Sequence, residues 1–448
     1  MKKITIFLLL VIIGFLIRVY NYYHFPVFGE TADEWAWTML GASLIQEKIP
    51  ASWSYFTDYE DKYIYKTGVY DAPIVRPAFD HPPLFSLLPG LAQSFKAHWL
   101  DFPSAKLVRF PMILLGALNV GLFWLVVDRF FSKKKFSLLA TTLFITIPTL
   151  VFGSRLVVAE NLLVTWTILA YCAVFNLDKK WSTKLVFILS LLAVLTKVAG
   201  LVIPVSILAY AFLEKNWKLF KASLFGLLVG ISLFFIYGAI YDFSLFLKLL
   251  SSQSTRDLSF VTLQNRLFIH PVVIRHLLFD GWKILGFFAS ILMLANKDKK
   301  YLFLNITFLI NLVFILFSVG GTTYHGWYDY LLWPTLIINL VELIKLIQEK
   351  RLWLLAGMTW LLLLPLFNLA FLKLNLLESL STWSMRGIFS IGFLPVLFES
   401  LNLKKLSKFI YFLILLLLIV TNIFVALTMD ATTYWNQAAF FDVNNPLR

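Results

Sequence analysis

The chain has little charge and almost no cysteine. Only 14% of its 448 residues are charged, and its single cysteine, Cys172, lies within an apolar run. One cysteine excludes an intrachain disulfide and a cysteine-based metal site. Because soluble globular proteins carry about 25% charged residues, the shortage of charge also argues against an ordinary soluble domain.

Apolar residues are correspondingly abundant. They make up 60% of the chain, and the mean hydropathy is +0.80. Apolar runs of about 18 or more residues recur along the whole length, which is typical of a polytopic membrane protein. The first run, in "MKKITIFLLLVIIGFLIRVYNYY", resembles a signal peptide, but no small-x-small cleavage site follows, so we interpret it as a retained membrane helix.

We therefore predict an all-α polytopic membrane protein in which residues 1–448 form a single transmembrane domain without internal repeats. The predicted spans, about 13 in number at the usual length of a membrane helix, are 4–23, 109–127, 136–153, 157–177, 184–196, 198–213, 219–241, 281–296, 301–319, 328–346, 351–370, 385–401 and 409–428.

Basic side chains outnumber acidic ones by 39 to 25, and the net charge is +14. The basic residues form short clusters in alternate gaps between apolar runs. This is the pattern of membrane topology and not of nucleic-acid binding, and it predicts a cytoplasmic N-terminus. The absence of a large soluble outer domain favours a plasma membrane. The prediction requires residues 184–213 to break into two helices, with Lys197 at the outer turn. Two large extracytoplasmic loops then follow, at 24–108 and 242–280.

The first outer loop contains a helix signal. In "TADE", Thr31 and Glu34 have the S/T-x-x-E spacing of a capping box. The segment "EWAWTMLGASLIQEK" follows, with Trp35, Met39 and Leu40 at roughly helical spacing. We predict that it forms an interfacial helix that lies on the membrane surface.

The capping box accounts for Glu34 but not for the other acids of this loop. Glu30 and Asp33 lie beside it, and "FDHPPLF" adds Asp80 and His81 before two prolines. Asp33 can be explained as a complement to the helix dipole, and "FDHPPLF" as a helix start. A functional carboxylate is the alternative, and the pattern alone leaves both open.

Taken together, these segments resemble a known family. An acidic pair after the first membrane helix, then "HPPL", then "RFPMILLGAL", resembles the GT-C membrane glycosyltransferases of the protein O-mannosyltransferase and lipid A aminoarabinose transferase type. The segments "SRLVVAENLLV", "LLAVLTKVAGLVIP" and "HGWYDYLLWP" are similar to later family segments, in the same order. The resemblance covers residues 1–340, and it depends on the order and spacing of the segments because no one motif is specific.

The resemblance implies a function. A sugar is transferred from a polyprenyl-phosphate donor, such as dolichyl-phosphate mannose, to a protein, lipid or glycan acceptor at the extracytoplasmic face, with inversion and a carboxylate general base. Cations must stabilise the departing lipid phosphate. The resemblance implies that Asp33 is the catalytic base. Glu34 is the second catalytic candidate, in a structural or orienting role that follows from its capping-box position. The expected substrate-binding residues are Asp80, His81, Arg155, Glu160, Lys197, Arg266, His325 and Tyr328.

Structural alternatives remain for several of these residues. Lys197 could be an ordinary snorkelling lysine at a helix end, and Arg155 could form a structural ion pair with Glu160. Arg266 belongs to a basic and aromatic stretch of the second outer loop, which is suited either to the donor headgroup or to anionic lipid.

The chain departs from the family pattern at two places. Trp327 stands where the family usually carries an arginine before Tyr328, and His325 is a candidate replacement. Leu84 and Phe85 follow the prolines in place of the Gly-Lys of the protein mannosyltransferases, which weakens the expectation of a protein acceptor.

No metal ligand is predicted firmly. Asp33, Asp80 and His81 could supply ligands to a divalent cation, and this alternative stays open.

A lipid or saccharide flippase is the competing function. Such a transporter should place ionisable residues near the middle of the bilayer and often has repeated halves. Here the acids gather in the outer loop, which favours surface chemistry. A non-catalytic membrane scaffold would leave the acid cluster unexplained.

Overall fold

The structure, a computed structural model, describes residues 2–29, 31–66, 71–254, 271–273, 276–277, 279–318, 326–376 and 379–432. Two predicted site residues, Arg266 and His325, lie outside this part of the chain, as does Glu30.

Helices dominate the described residues and confirm the predicted all-α membrane fold. They are α1 (Lys2–Val19), α2 (Asp33–Gln46), α3 (Leu87–Ser94), α4 (Ala105–Val108), α5 (Phe110–Phe130), α6 (Lys134–Thr146), α7 (Pro148–Gly153), α8 (Glu160–Val174), α9 (Lys180–Thr196), α10 (Val202–Leu213), α11 (Trp217–Tyr241), α12 (Phe243–Ser254), α13 (Trp282–Leu294), α14 (Leu302–Ser318), α15 (Trp333–Lys350), α16 (Trp353–Lys373), α17 (Thr382–Ile391), α18 (Leu394–Ser400) and α19 (Lys404–Thr428). Short 3₁₀ turns at Val198–Leu201, Lys299–Tyr301 and Gly326–Leu332 lead into α10, α14 and α15.

Two small antiparallel sheets, which the sequence analysis did not predict, accompany the helices. The first has the strand order β1–β3–β2, and the second is a two-stranded hairpin, β4–β5. The strands are β1 (Ser52–Trp53), β2 (Tyr63–Lys66), β3 (Asp71–Val75), β4 (Pro271–Val273) and β5 (His276–Leu277). Strands of two to five residues are too short to produce a clear alternating pattern in the sequence.

Six helical segments of the described chain are long and apolar enough to cross a membrane. They are Ala105–Phe130, Trp217–Tyr241, Lys299–Phe317, Gly326–Lys350, Trp353–Lys373 and Lys404–Thr428. Shorter apolar helices lie at Ile4–Val19, Glu160–Val174, Val198–Leu213 and Trp282–Leu294. The chain is therefore a polytopic membrane protein.

The predicted break at Lys197 is confirmed. Helix α9 ends at Thr196, and Lys197 has an extended backbone, with φ −166° and ψ 155°, before the next turn begins. The predicted spans 136–153 and 385–401 were wrong as single helices. Pro148 lacks a backbone N–H and divides the first into α6 and α7, whereas the second consists of α17 and α18, which have 10 and 7 residues.

Helix α2 forms as predicted, but its apolar side chains are not free to face lipid. Trp35, Met39 and Leu40 are only 3%, 2% and 4% exposed because protein covers them. Helix α3 crosses α2 so closely that a Cβ atom on Gly41 would lie 1.8 Å from the carbonyl oxygen of Ser86. The interfacial prediction for this apolar face is corrected: α2 is buried between its own loop and later helices, since Leu40 belongs to one apolar cluster with Phe234 of α11 and Phe246 of α12.

The close crossing predicts the effect of two glycine substitutions. Gly41→Ala should lower the thermal midpoint in detergent, because backbone atoms must separate at a cost of about 1–3 kcal/mol. Gly387→Ala is the matched control, because nothing lies within 4 Å of its Cβ position in α17, and alanine favours a helix by about 0.5–1 kcal/mol. Equal midpoints for the two variants would contradict the described packing.

Candidate active site

A pocket opens between α2, the β1 segment and the loop that follows β3. It holds about 660 Å³ of space continuous with the solvent. The lining residues are Asp33, Ala36, Trp37, Leu40, Ser52, Trp53, Tyr55, Phe56, Ala78, Asp80, His81 and Tyr328. Four predicted site residues, two of them carboxylates, therefore meet in one pocket although they come from distant parts of the chain.

Asp33 stands at the first position of α2 and lines the pocket. Its backbone N–H donates to Thr31 Oγ1 over 3.2 Å, which fixes the start of the helix. The partly buried carboxylate is near enough to interact electrostatically with Asp80, Glu160 and Lys197. Of the acidic pair, Asp33 is the member that faces the pocket.

Glu34 points away from the pocket and is fully buried. Both of its carboxylate oxygens accept hydrogen bonds of 2.7 Å from Arg109, and Oε1 also accepts one of 3.1 Å from the backbone N–H of Val157. The predicted capping box does not form, because the buried arginine offers the carboxylate a stronger, charge-assisted partner. Glu34 thus joins α2 to the start of α5.

Arg109 is also bound by the backbone that connects α1 to α2. Its Nη1 donates to the carbonyl oxygens of Tyr22 and Pro26, over 3.0 and 2.7 Å. The guanidinium therefore fixes the residues just before the acidic pair. The sequence analysis quoted Arg109 only as part of "RFPMILLGAL", and its position beside the helix-starting Pro111 was the available signal.

Asp80 is embedded in a hydrogen-bond network. Its Oδ1 accepts a 2.7 Å bond from the Tyr59 hydroxyl, which in turn accepts the backbone N–H of Phe79 over 2.8 Å. Burial raises the pKa of Asp80 to about 6, and the charge of Asp33 adds to the rise, whereas Tyr59, Ser54 and Lys62 oppose it. Sequence reasoning missed Tyr59, which lies 21 positions away from its partner.

His81 lies against the indole of Trp37. The two rings are stacked, with centroids 4.6 Å apart and planes 14° from parallel. The same loop is tied to its surroundings by two further bonds, from Leu84 N to Leu195 O over 3.1 Å and from Gln253 Nε2 to Asp80 O over 2.7 Å. The "DHPPL" segment is thus held against the end of α9 and against α12.

Lys197 lies behind the pocket wall. Its ammonium binds Glu160 Oε1 over 2.7 Å, and both side chains are almost completely buried. Two rings that line the pocket cover it, with the ammonium 4.8 Å from the centroid of Tyr328 and 5.9 Å from that of Trp37. Lys197 is not a snorkelling lysine, because it is directed into the protein and not toward the membrane surface.

Arg155 does not reach the pocket. It is 1% exposed, and its guanidinium donates to backbone carbonyl oxygens at Ile17, Arg18, Tyr20, Phe25 and Ala426, over 2.8–3.5 Å. The ion pair with Glu160, considered from the sequence, is therefore not formed. Arg155 instead joins the end of α1 to α19, and this geometry favours a structural role.

The metal-site alternative concerned Asp33, Asp80 and His81. In the part of the chain that the structure describes, no group of three His, Cys, Asp or Glu side chains is arranged to hold a metal ion. Asp33, Asp80 and His81 share the pocket without forming such a group.

Comparisons with known proteins bear on the family and the fold of this chain. The family described as dolichyl-phosphate-mannose-protein mannosyltransferase matches residues 80–241, a segment that contains Asp80, His81, Glu160 and Lys197 but less than half of the chain. No individual curated protein matches by sequence.

Two solved structures share the fold. ArnT from Cupriavidus metallidurans, bound to undecaprenyl phosphate, superposes with a TM-score of 0.55 and 13% identity, over 95% of this chain and 76% of that one. The archaeal oligosaccharyltransferase AglB from Archaeoglobus fulgidus, in complex with an inhibitory peptide and a dolichol-phosphate, gives 0.50 and 11%, over 96% and 56%. The chain has the GT-C fold. The predicted resemblance to the mannosyltransferase and ArnT group is thus confirmed.

The raised pKa of Asp80 predicts a pH-dependent stability of the GT-C chain. Because the folded pKa is about 6 and the unfolded one is about 3.9, the folded protein holds a proton that the unfolded chain has already released. This stabilisation is complete below about pH 4 and is lost as the pH rises through about 6, by at most about 3 kcal/mol.

Asp80→Asn should remove this dependence. Thermal midpoints of the variant and the wild type should be measured at pH 4.5 and pH 7.5. The midpoint of the variant, relative to that of the wild type, should be higher at pH 7.5 than at pH 4.5. Asp101→Asn, at an exposed carboxylate of the same loop that accepts the backbone N–H of His98, is the control and should leave the pH dependence unchanged. A constant difference between Asp80→Asn and the wild type would contradict the assignment.

Proposed function

We propose that this protein transfers a sugar from a polyprenyl-phosphate-linked donor to an acceptor at the extracytoplasmic membrane face, with Asp33 as the general base. The observation that carries the proposal is the pocket in which Asp33 is the accessible member of the acidic pair, in a GT-C fold. The lipid phosphates bound by ArnT and by AglB support the donor class, and the mannosyltransferase match over residues 80–241 supports the reaction type.

The roles of the two acids follow from their surroundings. Glu34 is fully buried and bound by Arg109 on both oxygens, so it cannot approach an acceptor hydroxyl without breaking an ion pair. Asp33 lines the open pocket. A carboxylate must come within hydrogen-bond reach of the proton that it removes, and only Asp33 of this pair can do so.

The reaction is a single displacement. The acceptor oxygen forms a bond to the anomeric carbon while its proton passes to the Asp33 carboxylate. The bond between that carbon and the phosphate oxygen breaks, and the lipid phosphate leaves with the electron pair. Attack from the face opposite the phosphate inverts the anomeric configuration.

Charge on the departing phosphate needs a positive environment. Lys197 is held in place by Glu160 and lies behind Tyr328 and Trp37. Its ammonium therefore stabilises the phosphate charge electrostatically through these rings, or contacts the phosphate after one of the two rings moves. His81 lines the pocket directly and is the candidate for direct phosphate contact. Glu160 is then a positioning residue for Lys197.

The pocket suits a sugar. Trp37, Trp53, Tyr55 and Tyr328 present aromatic rings, which bury the apolar face of a pyranose, while the two carboxylates can accept hydrogen bonds from its hydroxyl groups. These features are shared by hexoses and pentoses, and the acceptor is a protein, a lipid or a glycan. Arg266 and His325 remain sequence predictions for donor binding.

The proposed base has a direct kinetic test. Asp33→Asn should slow transfer by about 10²–10⁴-fold, measured as release of free polyprenyl phosphate from a panel of polyprenyl-phosphate sugars with mass spectrometry of the products. Undecaprenyl phosphate should still bind, because the substitution removes a base and not the lipid contacts.

The matched control is Asp101→Asn, which removes an exposed loop carboxylate away from the pocket and should leave the rate unchanged. If Asp33→Asn transfers sugar at the wild-type rate while folding normally, Asp33 is not the base.

The proposed membrane face can be tested by labelling. In a Cys172→Ser background, Ala32→Cys should react with a membrane-impermeant maleimide in intact cells, because position 32 adjoins the pocket. Ser132→Cys, at an exposed position between α5 and α6, is the control and should react only after permeabilisation. If Ser132→Cys reacted in intact cells and Ala32→Cys only after permeabilisation, the pocket would lie in the cytosol and the proposed membrane face would be wrong.

A further inference from the structure

A second pocket lies at the opposite ends of the helices that frame the candidate active site. Helix α5 begins beside Arg109, which binds Glu34 of the first loop, and it runs for 21 residues, about 31 Å at 1.5 Å per residue. Lys133 follows its far end. Helix α15 likewise begins after the turn that carries Tyr328 and ends at Lys350.

Helix α19 connects the same two regions but runs in the opposite direction. Near its C-terminus, the carbonyl oxygen of Ala426 accepts a hydrogen bond from Arg155, which also binds the chain just before α2. The helix has 25 residues, and its N-terminus at Lys404 lies at the far end from this bond. The residues that line this second pocket are Lys133, Lys135, Gln348, Glu349, Arg351, Trp353, Lys404 and Lys408, around about 860 Å³ of space.

Five of these side chains are cationic and one is anionic. Two of the cations already have acidic partners: Lys133 pairs with Glu349 over 2.8 Å and Arg351 with Glu399 over 3.3 Å. Within the described residues, the other three, Lys135, Lys404 and Lys408, form no ion pair. They come from two separate parts of the chain and converge on one space. Glu349, the acid among the lining residues, interacts electrostatically with Lys133 and Lys135, but one carboxylate does not neutralise five cations, so the lining keeps a net positive charge.

The helix ends add to the positive potential. Helices α6, α16 and α19 all begin at this pocket, and none of the three has a side-chain cap or an acidic residue in its first turn. Backbone N–H groups at a helix N-terminus carry partial positive charge. The lysines and the helix dipoles therefore favour the same ligand, an anion.

The surroundings of the pocket indicate that this anion carries acyl chains. Large apolar side chains beside it are exposed on the membrane-spanning helices, including Leu354 at 65%, Leu406 at 37% and Phe409 at 55%. A free phosphate would leave this surface uncovered. A phospholipid can place its headgroup among the lysines and its acyl chains along these helices.

We infer that the pocket formed by Lys135, Lys404 and Lys408 binds the phosphate headgroup of an anionic phospholipid in the leaflet opposite the candidate active site. The site is separate from the donor pocket. Its lipid joins α6, α16 and α19 at the ends that the first outer loop does not hold.

The test compares lipid binding by two charge-matched triple variants of the full chain. Native mass spectrometry with added phosphatidylglycerol or phosphatidylcholine should show that the wild type retains the anionic lipid preferentially. Lys135→Gln/Lys404→Gln/Lys408→Gln should bind phosphatidylglycerol about tenfold more weakly or worse, because each lysine near a membrane surface contributes measurably to attraction. Binding of phosphatidylcholine should not change.

Lys215→Gln/Lys218→Gln/Lys221→Gln is the control. It removes the same charge from an exposed basic cluster beside α11, where the side chain of Asn216 caps the helix, and it should bind like the wild type. If both triple variants lost the same amount of phosphatidylglycerol binding, the effect would come from net charge alone, and the proposed site would be wrong. Displacement of phosphatidylglycerol by millimolar inorganic phosphate would show a phosphate site instead of a lipid site, and would also overturn the inference.

Discussion

The buried ion pair between Glu34 and Arg109 is the interaction on which the candidate site depends. Both side chains are completely buried and share two hydrogen bonds of 2.7 Å. A buried charge that loses its partner is strongly destabilising, so the start of α2 is held firmly against the start of α5. Consecutive residues of a helix project about 100° apart, and Asp33 is consequently turned away from this pair and into the pocket.

A second set of contacts brings the other half of the pocket to Asp33. The loop with Asp80 and His81 is held by the Tyr59 hydroxyl, by the ring of Trp37 and by the end of α9. Lys197 leaves α9 at that same end and binds Glu160 at the first position of α8. The proposed catalytic residues thus lie where several helices begin or end, which leaves the helices themselves free to cross the membrane.

The structural features that the sequence predicted well are those that follow from local patterns or from composition. The run of residues 184–213 was too long for one span and contained Lys197, and the chain does break there. Asp33, Asp80 and His81 were singled out as a possible functional group of the first loop, and all three line one pocket. The division of α6 from α7 at Pro148 was missed, although proline was the signal, because the apolar pattern continues through it.

The partners of the charged residues could not be predicted in this way. Glu34 and Arg109 are 75 positions apart, and Glu160 and Lys197 are 37 apart, so no local spacing indicates either pair. Arginine is a common phosphate ligand, but the guanidinium of Arg155 donates its hydrogen bonds to backbone carbonyl oxygens.

By itself, therefore, the sequence determined that this is a helical membrane protein with many of its acids gathered between the first two predicted spans, because hydropathy and charge clustering are properties of the chain read in order. Only the tertiary structure decided which acid is accessible and which cations are already bound, because burial and pairing depend on the segments that packing brings together.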